Sequence, residues 1–246
     1  MEDFSGKSVL ITGGGSGTGA HMARAFADSG ATVKITGRRA EPLQAVANHS
    51  DRIRYQTGDA SDEATVASFF EDGPFQIVVA NAGIAESAPF KATTLDQWQR
   101  IMAVNATGVF LTMRDGLKQM DDWGRLIVVS SILGKHGAPY ASAYAASKHA
   151  TIGLVESVAH EVARSNVTIN AICPGYIDTD MTQRTLENIM EKTGMDRTGA
   201  LKAITKDNPQ GKLITCDEVT HTAFYLASEG ASTINGQAIM LCGGGF

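Results

Sequence analysis

The chain has 246 residues, with 26 acidic against 21 basic side chains, a net charge of −5, 43% hydrophobic residues and 26 Gly. This balance excludes a disordered, collagen-like or disulfide-stapled protein, and it argues against a coat for nucleic acid or an anionic membrane, because both need a basic surface. The scattered Cys173, Cys216 and Cys242 offer neither a zinc spacing nor a disulfide framework, residues 1–6 lack the basic-then-apolar pattern of a secretory leader, and no apolar run approaches about 18 residues, so we expect a soluble cytoplasmic protein.

Short apolar runs alternate with stretches of helical period. A strand over 8–11 is followed by a helix over 20–29, a strand over 31–36, a helix over 41–49, a strand over 53–57 and a helix over 62–71. The rhythm continues with a strand at 76–80, one long helix at 95–120, a strand at 125–130, a helix at 143–164 and a strand at 167–172. A helix at 216–228 and a strand at 237–241 close it. Ile77-Val78-Val79 and Leu126-Ile127-Val128-Val129 are apolar on both faces, as strands are when helices cover both sides of a parallel sheet. The fold class is therefore α/β: a doubly wound Rossmann-type parallel sheet of about seven strands in one domain, with halves at 1–125 and 126–246. Residues 178–210 break the rhythm with weak helical period and read as a lid over the carboxyl edge of the sheet, where such folds bind ligands. Trp98 and Trp123 are expected to anchor packing around the long helix.

Three patterns carry chemistry. After the first strand the chain reads Thr12-Gly13-Gly14-Gly15-Ser16-Gly17-Thr18-Gly19 and enters a helix. Glycines let backbone N–H groups approach a pyrophosphate that the helix N-terminus also attracts. The second strand ends in Gly37-Arg38-Arg39, where a domain built for NAD places an acid. Two guanidinium groups suit the extra phosphate of NADP instead, with NAD possible. In Ala143-Tyr144-Ala145-Ala146-Ser147-Lys148 the Tyr and Lys stand one helical turn apart, so an ammonium is expected to lower the phenol pKa and make Tyr144 a general acid or base for a carbonyl and its alcohol. Ser131, at the end of the preceding strand, faces the same edge. No metal-ligand spacing occurs among the histidines and cysteines.

With Asp59 after the third strand, Asn81-Ala82-Gly83 after the fourth, Asn105 in the long helix and Pro174-Gly175 after the sixth, these motifs stand in the order of the classical short-chain dehydrogenase/reductase family, which the chain resembles over essentially its whole length. The resemblance implies a catalytic set of Asn105, Ser131, Tyr144 and Lys148: Tyr144 as acid/base, Ser131 holding the substrate oxygen, Lys148 binding the nicotinamide ribose and Asn105 ordering a water that relays protons to it. It implies a cofactor cradle of Gly13, Ser16, Gly17, Thr18, Gly19, Arg38, Arg39, Asp59, Ala60, Asn81, Ala82, Gly83, Pro174, Gly175, Ile177 and Thr179, with Asp59 at the adenine, Asn81 near its ribose, and Ile177 and Thr179 at the nicotinamide amide. It also implies a homotetramer paired through the long helices. Thr18 stands where relatives carry Ile, Ala80 where they carry Asn, and Cys242 where most carry Asp.

The length of the lid is like that of aromatic-polyketide ketoreductases and 3-hydroxybutyrate dehydrogenases. Yet Ala141 stands where the latter place a Lys for a free carboxylate, which points to a 3-oxoacyl thioester or another bulky ketone. Arg184, Lys192, Arg197 and Lys202 are available for the phosphates of a carrier. The alternatives are an NAD-dependent alcohol dehydrogenase for a cyclic, aromatic or polyol substrate and, from a different class, a non-catalytic dinucleotide sensor. The sensor is disfavoured because the four catalytic positions are all present.

Overall fold

Aliphatic and β-branched runs form seven strands whose connecting helices return the chain to the same end of the sheet each time; the computed structural model describes residues 2–245. In chain order the elements are β1 (Ser8–Thr12), α1 (Gly17–Asp28), β2 (Thr32–Gly37), α2 (Ala40–Ala47), β3 (Ile53–Thr57), α3 (Glu63–Ser68), β4 (Ile77–Ala80), α4 (Leu95–Met102) and α5 (Gly108–Leu117). They continue with β5 (Gly124–Val129), α6 (Ser142–Val162), β6 (Val167–Pro174), α7 (Asp180–Thr193), α8 (Arg197–Thr205), α9 (Cys216–Ala227) and β7 (Ala238–Leu241). The spatial order is β3-β2-β1-β4-β5-β6-β7 and every pairing is parallel. Val9 lies opposite both Val33 and Ile77, and Leu126 opposite both Val78 and Ile169. The direction of winding reverses between β1 and β4, which opens a crevice at their carboxyl ends.

Because side chains alternate along a strand, the sheet has two cores. Val9, Ile11, Val33, Ile35, Val79 and Ile127 face α1 and α9, where Phe26 and Phe224 meet Phe4 with ring centroids 4.6 to 5.0 Å apart. Leu10, Val78, Leu126 and Val128 face the other side, onto Val109 and Leu111 of α5 and Ile152 and Val155 of α6. Each such side chain contributes about 1.5–3 kcal/mol by leaving water. Away from the crevice two cations are buried with partners: Lys34 donates to Phe69 O and Asp72, and Arg125 donates to the carbonyls of Gly124, Asn166 and Ser228.

Four expectations are corrected. The long helix at 95–120 is two helices joined by a π turn over Ala103–Thr107, and it ends at Leu117. The wide turn holds Asn105 in the interior, and a periodicity count does not see one extra residue in a turn. Helix α1 begins at Gly17, three residues before the apolar pattern starts, so Gly17, Thr18 and Gly19 are its first turn. The region at 178–210 contains α7 and α8, which share a small core of Leu186, Ala200 and Ile204. Trp98 is 39% exposed, and Trp123 packs on the α1 and α9 core from the amino edge of β5 rather than on the long helix, with Lys7 and Arg125 over its ring at 3.7 and 4.3 Å. Among the described residues no helix is long and apolar enough to cross a membrane.

Candidate active site

The crevice at the switch point is built first from the loop after β1. Gly13 (φ +69°) and Gly17 (φ +51°) take left-handed backbone that other residues adopt at a cost of about 1–2 kcal/mol. A β-carbon on Gly13 would stand 2.9 Å from Ala82 Cα, and one on Gly17 would stand 3.4 Å from the Thr179 methyl, so the loop is pressed between the chain after β4 and the chain after β6. Ser16 caps α1 in extended backbone without a side-chain hydrogen bond, and the first turn carries no acid. Its leading N–H groups are thus left for an anion. The Thr18 side chain turns inward instead, 4.0 Å from Cys216 Sγ.

Asn81 fastens this loop. Its Nδ2 donates to the carbonyls of Thr12 (3.0 Å) and Gly13 (3.2 Å), while the N–H groups of Asn81 and Ala82 both donate to Thr12 Oγ1 at 3.1 Å. Its amide nitrogen is thus engaged with the chain that leads into α1. Gly83 leaves a bare floor, since a β-carbon there would stand 3.4 Å from Asn105 Oδ1 and 3.7 Å from Lys148 Nζ. At the far side Arg38 and Arg39 are exposed beyond β2, and Arg39 starts α2. Asp59 accepts from Ser61 N (2.9 Å) and Ser61 Oγ (2.7 Å). The Ser61 N–H and hydroxyl hold its carboxyl below the usual range against burial, and the nearby Arg38 lowers it further. Ala60 follows, with its carbonyl against Gly108.

The reactive groups gather where β5 ends. Ser131 is buried, accepts the N–H of Leu133 at 3.1 Å and stands near enough to Tyr144 to lower its phenol pKa. Lys148, one turn along α6 from Tyr144, donates to Val129 O at 2.9 Å, with Nζ 5.7 Å from the centre of the Tyr144 ring. Asn105 is fully buried: Oδ1 accepts Ile84 N–H (2.8 Å), and Nδ2 donates to Ile84 O (2.9 Å) and Ser147 Oγ (3.1 Å). The side chain therefore ties the loop after β4 to α6, and both of its N–H groups are used within the protein.

The expected electrostatics are reversed in the protein alone. Burial pushes the Tyr144 phenol up to about 12, with Tyr176 and Cys173 adding to the rise and the Ser131 hydroxyl opposing it. Burial also pulls Lys148 down to about 8. Desolvation disfavours both charged forms, and an ammonium this far from the ring, bonded to a carbonyl, does not offset it. Tyr144 is accordingly a neutral proton donor over the whole ordinary pH range. Such a phenol beside a serine hydroxyl can protonate a carbonyl oxygen that both groups touch.

Gly175 N donates to Leu241 O at 3.0 Å, continuing the pairing of Pro174 with Leu241, and Ile177 bridges to Ile214. Thr179 then caps α7. Of the lid cations, Arg197 donates to Gln183 at 2.5 Å, while Arg184, Lys192 and Lys202 are exposed. Three participants are absent from the sequence reading of the site. Tyr176 and Cys173 flank Tyr144 from the end of β6. Tyr140 has a φ of +66°, and its carbonyl accepts Ala88 N–H at 2.9 Å. Proximity of Tyr176 to Tyr144 had no local signal, and Tyr140 carried only the turn mark of Pro139 before it.

A family model described as short chain dehydrogenase matches residues 7–189. The D-beta-hydroxybutyrate dehydrogenase of Rhizobium meliloti (strain 1021) is 32% identical, covering 97% of this chain and 98% of that protein. The 3-oxoacyl-(acyl-carrier-protein) reductase of Mycobacterium tuberculosis (strain ATCC 25618 / H37Rv) is 34% identical over 98% of this chain and 93% of its own length. Among solved structures, an actinorhodin polyketide ketoreductase variant with NADPH superposes with a TM-score of 0.89 at 30% identity, covering 97% of this chain and 96% of that one. Levodione reductase superposes with a TM-score of 0.90 at 29% identity, covering 98% of both chains.

Proposed function

The chain belongs to the short chain dehydrogenase family, oxidoreductases of CH–OH and keto groups that bind NAD or NADP, and from that premise we propose that it reversibly reduces the ketone of a 3-oxoacyl thioester with NADPH. The observation that carries the reading is the gathering of Ser131, Tyr144 and Lys148 at the switch-point edge of the sheet, where Lys148 Nζ stands 5.7 Å from the centre of the Tyr144 ring and is fixed by Val129 O. The residues present fit a dinucleotide: an α1 N-terminus with neither side-chain cap nor acid, a loop whose glycines lie close against the chain, a bare floor at Gly83, and Arg38 exposed beside Asp59.

When bound, the cofactor supplies or accepts the hydride. Ser131 Oγ and Tyr144 Oη hold the substrate oxygen, and Tyr144 Oη gives it a proton during reduction and takes one during oxidation. Lys148, which burial pulls down to about 8, stands one helical turn from Tyr144 and would hold the nicotinamide ribose. Gly13, Ser16, Gly17 and Gly19 would receive the pyrophosphate on the first turn of α1, and Arg38 and Arg39 the 2′-phosphate. Asp59 and Ala60 would flank the adenine, Ala82, Gly83, Pro174 and Gly175 would line the cleft, and Ile177 and Thr179 would hold the amide. The exposed Arg184, Lys192 and Lys202 suit a carrier's phosphates. The substrate reading is supported by the relatives that reduce 3-oxoacyl groups and by the neutral Ala141.

A cytoplasmic homotetramer is part of the proposal. Phe110 is exposed beside Ala150, Gly153 and Leu154 on the outer faces of α5 and α6, which offers an apolar surface for a second copy. The test is nicotinamide absorbance with acetoacetyl-CoA, using NADPH and NADH in parallel. Oxidation of NADPH by the wild type, lowered by about 10²–10⁴ in Tyr144→Phe with NADPH affinity retained, is the expected result. Undiminished turnover in the variant would falsify the mechanism.

A further inference from the structure

Ten described residues have positive φ, and nine of them are glycine. The exception is Tyr140, at φ +66°, in the segment that leads into α6 four residues before Tyr144. Its ring is 65% exposed, so no burial of its own side chain offsets the backbone strain. Glycine or asparagine would sit there at lower cost, which makes the aromatic side chain the feature to explain. The strained conformation is held by the hydrogen bond from Ala88 N–H to Tyr140 O, which ties the rim formed after β4 to the rim in front of α6.

Around the same edge other large apolar side chains stand in water. Phe90, two residues beyond Ala88, is 79% exposed; Tyr176, close enough to Tyr144 to shift it, is 42% exposed; Met181, two residues beyond Thr179, is 47% exposed. These side chains stand on three separate connections at the carboxyl edge of the sheet, the edge where the crevice opens, and exposed apolar groups there suit an apolar ligand. The stretch 137–143 that leads into α6 contains no charged residue, and so no cation to pair with a carboxylate.

From this placement, and resting on the reading that Ser131 and Tyr144 act on a ketone, we infer that Tyr140 is a specificity-determining residue: its ring packs on a bulky apolar or aryl group attached to the ketone carbon, on the side away from the thioester. The strained backbone is what presents the ring to the substrate rather than to the protein.

The test compares kcat/KM for acetoacetyl-CoA and benzoylacetyl-CoA with NADPH and NADH in the wild type, Tyr140→Gly, Tyr140→Phe and Tyr144→Phe, together with solution mass. Gly is unstrained at this φ, so Tyr140→Gly folds and melts no lower than the wild type. The wild type prefers the aryl thioester; Tyr140→Gly lowers that preference about tenfold, the upper range of one aromatic contact, and Tyr140→Phe keeps it within about twofold. Equal losses on both substrates, or an unchanged ratio in Tyr140→Gly while turnover still depends on Tyr144, overturn the inference and leave the reductase reading standing. A change of solution mass in Tyr140→Gly without a change in the ratio also overturns it, by assigning the ring to a subunit contact. Absence of Tyr144-dependent turnover on either thioester with either cofactor overturns the reductase reading, and the inference with it.

Discussion

At Lys148 the balance of forces is decided by desolvation. Its folded-state pKa of about 8 lies below the ordinary 10.5, so between those values the unfolded chain binds the extra proton and the native state does not. The Lys148 contribution to stability therefore rises with pH above about 8, and the penalty of a buried ammonium is fully present below it; the raised Cys173 and Cys216 thiols oppose it near 9 equally in wild type and variant. Thermal melts of the wild type and Lys148→Met from pH 7 to 9.5 should converge if Lys148 is the cause, because the variant lacks this slope; parallel curves would show that the ammonium is compensated. The window stops short of 10, where unfolded tyrosines ionise while Tyr144 does not. Arg38 is the other residue whose role is set by one interaction. A charge-assisted bond from a guanidinium contributes about 1.5–3 kcal/mol, so Arg38→Ala should weaken NADPH roughly ten- to a hundredfold and NADH little. Equal losses in a fluorescence titration would return Arg38 to the solvated edge of β2.

Among the elements, the π turn between α4 and α5 connects fold to site. Asn105 satisfies both backbone groups of Ile84 and the hydroxyl of Ser147, which in turn donates to Tyr144 O at 2.7 Å. Removing the amide leaves a buried N–H and a buried C=O unpaired. Asn105→Ala should accordingly cost roughly 2–4 kcal/mol in urea denaturation. It should also lower kcat more than it raises KM, since the groups displaced hold Tyr144 rather than the substrate; a loss of stability with kcat unchanged would leave the turn a structural device only. The lid is different in kind. Helices α7 and α8 pack on one another through Leu186, Ala200 and Ile204, a core separate from those on the two faces of the sheet. A cluster this small can open without unfolding the sheet.

For the molecule as a whole, apolar strands buried on both faces leave little freedom of architecture, and the remaining question is assembly. The exposed Phe110 with Gly153 and Leu154 makes one face apolar where a lone monomer gains nothing from it. In light scattering the wild type should run as four chains, and Phe110→Asp should shift it to smaller species by placing a charge in the contact. A wild-type monomer with full activity would remove the tetramer from the proposal.

What the sequence determined by itself is the alternation of strands and helices and which residue types stand where chemistry is proposed. Both-faced apolar runs such as Ile77-Val78-Val79 specify interior strands, the glycines after β1 specify a turn into a helix, and a Tyr–Lys spacing of four places both side chains on one helical face; these are local properties that survive without knowledge of the neighbours. Tertiary structure decided the rest. The direction of the Tyr144 and Lys148 shifts depends on how much water the surrounding chain excludes, and the hydrogen bonds of the Asn81 and Asn105 side chains depend on backbone groups 21 to 69 residues away. The inward turn of Thr18 rests on Cys216, nearly two hundred positions later, and the left-handed Tyr140 is held by Ala88. Desolvation and hydrogen-bond satisfaction sum over neighbours in space, and periodicity along the chain does not register them.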